Sequence, residues 1–495
     1  MDIDIIIVGL YLAATLIIGV WSGWKISTFR NYAINDRSTS TFALCMTIAA
    51  TYIGGGSTIG MAEKAFSSGI VFPVIYFLGS LNLFFIGLFI APKMEAYLDK
   101  AQTPGSLAGL FWGHSGEFTV GVVGLFLSLG GVAAQISAMG LIFHELMGVS
   151  FELGACIGFG VLVMYSALGG IRAVVSTDTI QFMILAISMP LLAYLAVTSA
   201  GGLDHLLASV PESHLTLAPM RDQPMRYIPV LVSFLLFLLA PTWIQRLLMG
   251  KDIRQLRKSF CTSTLVTSGV FICSAIIGLS ALVVDPNIPS QLAMPYMIQT
   301  VMPVGMKGLM IAGLLAAIMS TADSDLNVSG IMVVRDLIRA YRGTMTDRQM
   351  IRYSQYATLI FGVLALLVAL RFKSIIDILL YFNGFWCGTV LVPLSARLLG
   401  HKSSKYAFIW AAVMGILVVI SWIAFDLEQH WGIYGLFPGM LVNTIVFFTM
   451  NAYSKRCGIF AQELEQARLA QQQALEWLDA YEKPIPANDK NPYWE

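Results

Sequence analysis

Charge is what this sequence has least of. Only 12% of its 495 residues are Asp, Glu, Lys or Arg, and the net charge is +1. So few basic residues, distributed among loops, build no face for a polyanion, and no nucleic-acid partner is expected. Cysteine is as thin: Cys45, Cys156, Cys261, Cys273, Cys387 and Cys457 lie scattered, mostly within apolar stretches, with no Cys-x-x-Cys pair. That spacing argues against a zinc ribbon or a redox dithiol and leaves small apolar fillers. His114, His144, His205, His214, His401 and His430 stand near loops or span ends without forming a metal motif. No nucleophile–base set is recognisable either, so the chain does not read as an enzyme and no organic cofactor is expected.

What fills the sequence instead is hydrocarbon. Hydrophobic residues make up 57% of the chain, and mean hydropathy is +0.74. These values describe a polytopic, all-α membrane protein in a lipid bilayer. Apolar runs of about 20 residues recur about thirteen times. They lie near 4–24, 41–61, 70–92, 118–143, 151–168, 179–199, 228–248, 260–283, 306–331, 354–370, 375–396, 406–425 and 433–452. The first run follows acidic residues (Asp2, Asp4) and is too long for a cleavable leader. The chain is expected to comprise one membrane domain over 1–455, then a polar cytoplasmic tail over 456–495. Gln462 to Leu478 in that tail reads as a weakly amphipathic helix, either simply solvated or a docking segment for a cytoplasmic regulator.

Basic residues sit mainly in loops after odd-numbered spans, for example Lys25, Arg30 and Arg37, then Lys251, Arg254, Arg257 and Lys258. The bias predicts those loops and the C-terminus in the cytoplasm and the N-terminus outside. The expected location is a bacterial inner (cytoplasmic) membrane.

Two spans are interrupted. In the second, Gly54-Gly55-Gly56 follows Thr51-Tyr52-Ile53; in the seventh, Ala240 meets Pro241. Each helical glycine costs about 1 kcal/mol relative to alanine. Backbone groups freed within hydrocarbon need a protein, water or ion partner, so the breaks are expected to line a cavity. Units 2–6 and 7–11 each hold five spans, an odd number, and must run in opposite directions. This predicts inverted repeats over roughly 41–199 and 228–396, with a transport site at their interface.

The ninth span carries oxygen ligands. Gly313, Ala316, Ala317, Ser320, Asp323, Ser324 and Asn327 recur at three- and four-residue steps and share one face. Hydroxyls, a carboxylate and closely approached carbonyls suit a hard cation such as sodium. A carboxylate at membrane depth costs about 2.5–3.5 kcal/mol and signals function. Alternatively, Asp323 and Asp325 sit near the cytoplasmic end of the helix and merely pair with Arg335 or solvent; that is expected for Asp325, which lies off the stripe, and both readings stay open for Asp323. Arg246, after Gln245, reads as a snorkelling anchor or gate partner, and Glu63 with Lys64 as an outer gate pair. Asp178, after Ser176-Thr177, reads as a helix N-cap.

Three segments together carry a family likeness: Gly169-Gly-Ile-Arg-Ala-Val-Val-Ser-Thr-Asp-Thr-Ile-Gln181, Gln245-Arg246, and Ala316-Ala-Ile-Met-Ser-Thr-Ala-Asp-Ser324. Over roughly 5–450 the chain resembles the sodium:solute symporters, which include proline, pantothenate, sugar and choline carriers. The resemblance implies a five-plus-five inverted-repeat (LeuT-like) fold, with one helix before the repeats and two after. It implies a main sodium site at Ala50, Ile53, Ala317, Ser320 and Thr321. It also implies a second cation site, found in some members, at Asp178, Asp323 and Ser324 with Ser320.

For the solute, the break itself (Gly54, Gly55, Gly56, Ser57) and the aromatic faces of Tyr52, Tyr76, Trp243 and Trp386 are the candidates. Aromatics in membrane spans also pack or anchor at the interface. Proline carriers have a carboxylate where this chain has Tyr52 and a tryptophan where it has Gly56. Thr51-Tyr-Ile is similar to pantothenate carriers, and Gly54-Gly-Gly with Ala62-Glu63 to choline carriers. The expected activity is sodium-coupled import, by alternating access, of an amino acid or a related zwitterion or quaternary amine. A carrier of pantothenate or another carboxylate, a transporter-like nutrient sensor, and proton coupling stay open as alternatives.

Overall fold

A computed structural model describes residues 2–459 apart from 25, 225, 226, 229, 233–238, 343, 344, 373 and 374. The expected tail helix and its docking role lie outside the described residues.

Among the described residues, regular structure is entirely helical. The principal helices are α1 (Asp2–Gly23), α2 (Thr41–Tyr52), α3 (Ile59–Ser68), α4 (Val71–Phe85), α5 (Pro104–Met147), α6 (Phe151–Ser199) and α7 (Pro241–Leu248). They are followed by α8 (Ile253–Val284), α9 (Met306–Met332), α10 (Asp347–Arg371), α11 (Ile375–Trp386), α12 (Lys405–Ala424) and α13 (Leu436–Arg456). Their starts follow local chemistry: Ser40, Thr103, Ser150, Asp252, Thr346 and Ser404 each accept a first-turn N–H from their helix.

Ten described helices are long and apolar enough to cross a membrane, where about thirteen spans were expected. Three places account for the difference. The second expected span is divided into α2 and α3, each too short to cross alone. The fifth and sixth form one 49-residue segment, α6, interrupted at Gly170 (φ 54°, ψ −160°). An unbroken helix of that length would run about 74 Å, far beyond the ~30 Å hydrocarbon layer. The seventh span falls partly in 233–238, outside the described residues.

Helix α9 is the axle of the fold. It is buried along nearly its whole length and packs on α1, α2, α5, α6 and α10. Its sequence allows this because small residues let neighbours approach. A Cβ on Gly313 would meet Ser188 Oγ, and one on Gly330 would meet Thr358 Oγ1. Its first turn is capped from a distance: Asp4 Oδ1 accepts from the N–H of Gly305 at 2.8 Å and of Gly308 at 2.7 Å. Those donors have no intrahelical partner, so the α1 carboxylate satisfies them.

At one end of the bundle, Arg37 ties three loops together. Its guanidinium donates to Gly250 O and Lys251 O, both at 2.8 Å, and pairs with Asp99 at 2.6 Å.

Candidate functional site

The break between α2 and α3 leaves carbonyls and N–H groups without helical partners, and side chains take their place. Ile53 turns extended (φ −103°, ψ 102°). Gly54 O accepts from the hydroxyls of Ser57 at 3.1 Å and Thr58 at 2.9 Å, and Gly55 N–H donates to Gln135 Oε1 at 2.9 Å. From α9, Ser320 Oγ donates to Ala50 O at 3.0 Å and Ala317 O at 2.9 Å. Thr321 Oγ1 reaches Thr51 O and Ile53 O at 3.2 Å and Ala317 O at 3.3 Å. Ala50, Ile53, Ala317, Ser320 and Thr321 therefore form one cluster of carbonyl and hydroxyl oxygens, with Thr51 O beside them. The donor set is all oxygen and uncharged, which fits a hard monovalent cation better than a transition metal.

The glycines of the break are there for proximity. None of Gly54, Gly55 and Gly56 has a positive φ. A Cβ at Gly54 would stand 2.8 Å from Gln135 Oε1 and 2.9 Å from Thr321 Oγ1; one at Gly55 would stand 2.7 Å from Ala138 Cβ.

Next to this cluster lies a cavity of about 200 Å³. Of the residues expected to meet solute, Tyr52, Gly54, Gly56, Ser57, Tyr76 and Trp243 line it. Tyr52 packs on Trp243, ring centres 5.6 Å apart, and its hydroxyl donates to Gly79 O at 2.9 Å. Trp243 keeps its indole N–H without a hydrogen-bond partner. Two candidates stand elsewhere: Gly55 turns to Gln135, and Trp386 is fully buried, its ring approaching Gly124 beside Pro241 and Met332. Thr51, Gln135, Thr242, Thr321, Asp325 and Asn383 complete the polar part of the wall. Thr242 and Gln135 sit in otherwise apolar runs; their isolation there was the only sequence signal.

On the far side of α2 is a closed polar network. Asp178 accepts from Thr47 and pairs with Arg246 Nη2 at 3.5 Å. Asp323 Oδ2 accepts from Tyr165 at 2.7 Å and Thr177 at 3.5 Å. Ser324 Oγ receives Arg246 Nη2 at 2.5 Å and lies 2.9 Å from Thr51 Oγ1. The network thus joins Asp178, Asp323 and Ser324 of the residues expected at a second cation site, and Arg246 joins it too, while Ser320 bonds instead to the carbonyls of Ala50 and Ala317.

Several sequence expectations are corrected here. Arg246 is no snorkelling anchor: it is fully buried and ion-paired. Asp178 is no N-cap but sits inside α6, which resumes at Ile171 after the Gly170 break. The hydroxyls of Ser176 and Thr177 instead bond back to Arg172 O and Ala173 O. Asp325 does not meet Arg335, which pairs with Glu117 at 3.0 Å; part-buried, Asp325 faces the cavity. Glu63 and Lys64 pair with each other at 3.7 Å, partly exposed, with Lys64 Nζ 5.7 Å from the Phe72 ring.

The sodium:solute symporter family profile matches residues 32–399. The chain belongs to the sodium:solute symporter family. Among relatives, an osmoregulated proline transporter of Bacillus subtilis (strain 168) is 24% identical over 92% of this chain and 96% of its own length. A sodium/proline symporter of Staphylococcus aureus (strain JH9) is 22% identical over 92% and 94%. Among solved structures, a substrate-bound, outward-open Na+-coupled sialic acid symporter superposes with a TM-score of 0.81 at 17% identity, covering 91% of this chain and 97% of that one. A nucleobase-cation-symport-1 family transporter in a closed conformation gives 0.56 at 16%, covering 87% and 95%. The fold is that of these two transporters. As a member of the symporter family, the protein is an integral membrane transporter that couples sodium to the movement of a small organic solute.

Proposed function

We propose that this symporter imports a nitrogen-bearing solute, an amino acid or a related zwitterion or quaternary amine, across a bacterial inner membrane. The observation that carries the reading is the convergence of Ser320 and Thr321 on the carbonyls of the α2 break, beside a solute-sized cavity. Sodium takes the oxygens of Ala50, Ile53, Ala317, Ser320 and Thr321. In doing so it fixes the end of α2 against α9 and orders Gly54, Gly56 and Ser57, which line the cavity. Solute then meets a preformed wall, so each ligand raises the affinity for the other, and the coupling is reciprocal. The names of the proline-transporting relatives support the nitrogen-bearing class.

The place that the family resemblance gives to a second cation holds the Arg246 guanidinium. It meets Asp178 and Ser324 as a tethered cation. One sodium per cycle follows, with a Hill coefficient near one in sodium activation. Repeats over 41–199 and 228–396 and a cytoplasmic C-terminus belong to the same proposal. The loops after spans one, three and seven meet at Arg37, as loops on one side of a membrane must.

Uptake of radiolabelled amino acids, choline-like amines and pantothenate into proteoliposomes, with and without an inward sodium gradient, tests the reading. Sodium-driven accumulation of an amino acid or a quaternary amine is expected; accumulation of pantothenate alone, whose only nitrogen is a neutral amide, would overturn it.

A further inference from the structure

Asp325 is the one acidic or basic side chain among the described residues that line the 200 Å³ cavity. The fully buried Arg246–Asp178 pair and the part-buried Arg335–Glu117 pair are also held by residues on or against α9, and Asp325 belongs to neither. A carboxylate at this depth without an ion-pair partner is costly and functional by default. The fold also keeps room for it. Gly131, on the facing wall of α5, lines the cavity, and a Cβ there would collide with the Asp325 carboxyl group. Around it stand the faces of Tyr52, Tyr76 and Trp243 and no basic side chain among the described lining residues.

We propose that Asp325 binds the cationic nitrogen of the transported solute. This rests on the symporter reading and narrows its solute class. An ammonium entering a space this small sheds its water, and a carboxylate is the group that compensates that loss. Aromatic faces add attraction for the same charge, including quaternary nitrogen that cannot donate a hydrogen bond. A solute bearing only a carboxylate meets like charge and is rejected, which makes Asp325 a selectivity element as well as a ligand. The positive nitrogen is therefore the obligatory feature of the solute, and its acid group, where present, is secondary.

The test uses the full chain, purified, with thermal stabilisation in sodium as the binding readout. Probes are the common amino acids, choline and glycine betaine, each stabilising compound being followed by its nitrogen-free analogue, such as cyclopentanecarboxylate for proline. The parent compound is expected to bind at least about tenfold more tightly than its nitrogen-free analogue. Asp325→Asn should lose about the same factor toward the parent, with Asp325→Glu recovering part of it. Gly131→Ala, which displaces the carboxylate without removing it, should weaken the same compounds. Comparable binding of the nitrogen-free analogue, unchanged affinity in Asp325→Asn, or no binding by any cationic probe overturns the proposal. The analogue comparison in the unmodified protein holds whether or not the variants fold. Sodium-driven uptake of a nitrogen-free acid would sink the Asp325 assignment and leave symport standing. Amine binding that needs Asp325, with uptake indifferent to sodium, would do the reverse.

Discussion

Asp323 and Asp325 sit two residues apart on α9, about 200° around the helix from each other, and their surroundings differ completely. Asp323 faces Tyr165, Thr177 and Ser324 in a fully buried network that also contains Asp178 and Arg246. Asp325 faces the cavity, with Gly131 opposite and no ion-pair partner among the described residues. One helix thus carries both a carboxylate committed to holding the bundle together and one left available to a solute. Helical phase, not residue type, separates the two.

Opening the buried network around Asp178 and Arg246 should be the most damaging change. Asp178→Ala leaves a buried guanidinium unpaired and should cost about 3–5 kcal/mol of stability, read as a large fall in thermal midpoint. The double variant Asp178→Asn, Arg246→Met should regain much of that, because both charges leave together. A double variant no more stable than Asp178→Ala would show that the pair is not the source of the loss. Tyr165→Phe should come next: it removes one donor to Asp323 and costs about 1.5–3 kcal/mol, with solute selectivity unchanged. A changed solute profile would blur the distinction between the two carboxylates.

Smaller effects sharpen the cavity side. Ser320→Ala and Thr321→Ala should each raise the sodium concentration for half-maximal uptake about tenfold, equivalent to about 1.4 kcal/mol, with less effect on solute contacts. Unaltered sodium dependence in both variants would remove the proposed ligands. The smallest effect is expected at the partly exposed Glu63–Lys64 pair. Glu63→Gln should change stability by less than about 1 kcal/mol; a loss of transport with stability retained would assign the pair the outer-gate role.

Much of this arrangement was legible in the sequence. The triple glycine marked the α2 break, and the three- and four-residue steps of α9 brought Ser320, Asp323 and Ser324 to one side. Composition alone fixed the all-helical membrane class. What escaped was long-range. Nothing near Arg246 in sequence signals that Asp178 and Ser324, 68 and 78 positions away, close around it. Read locally, an arginine after an apolar run is a membrane-edge residue, and an aspartate after Ser-Thr is a cap. Asp325 was misread for the same reason: a residue off the polar stripe looks idle until the cavity on that side of α9 is seen. Trp386 shows the converse, an aromatic whose reach ends in packing.

The remote cap on α9 has a practical consequence. Because Asp4 holds the N-terminal end of the helix that carries both the proposed alkali-ion ligands and Asp325, the start of α1 acts as a tether. Fusion partners, affinity tags or trimming at that end would slacken it and perturb turnover from a distance. Labels intended to be silent belong elsewhere on the polypeptide.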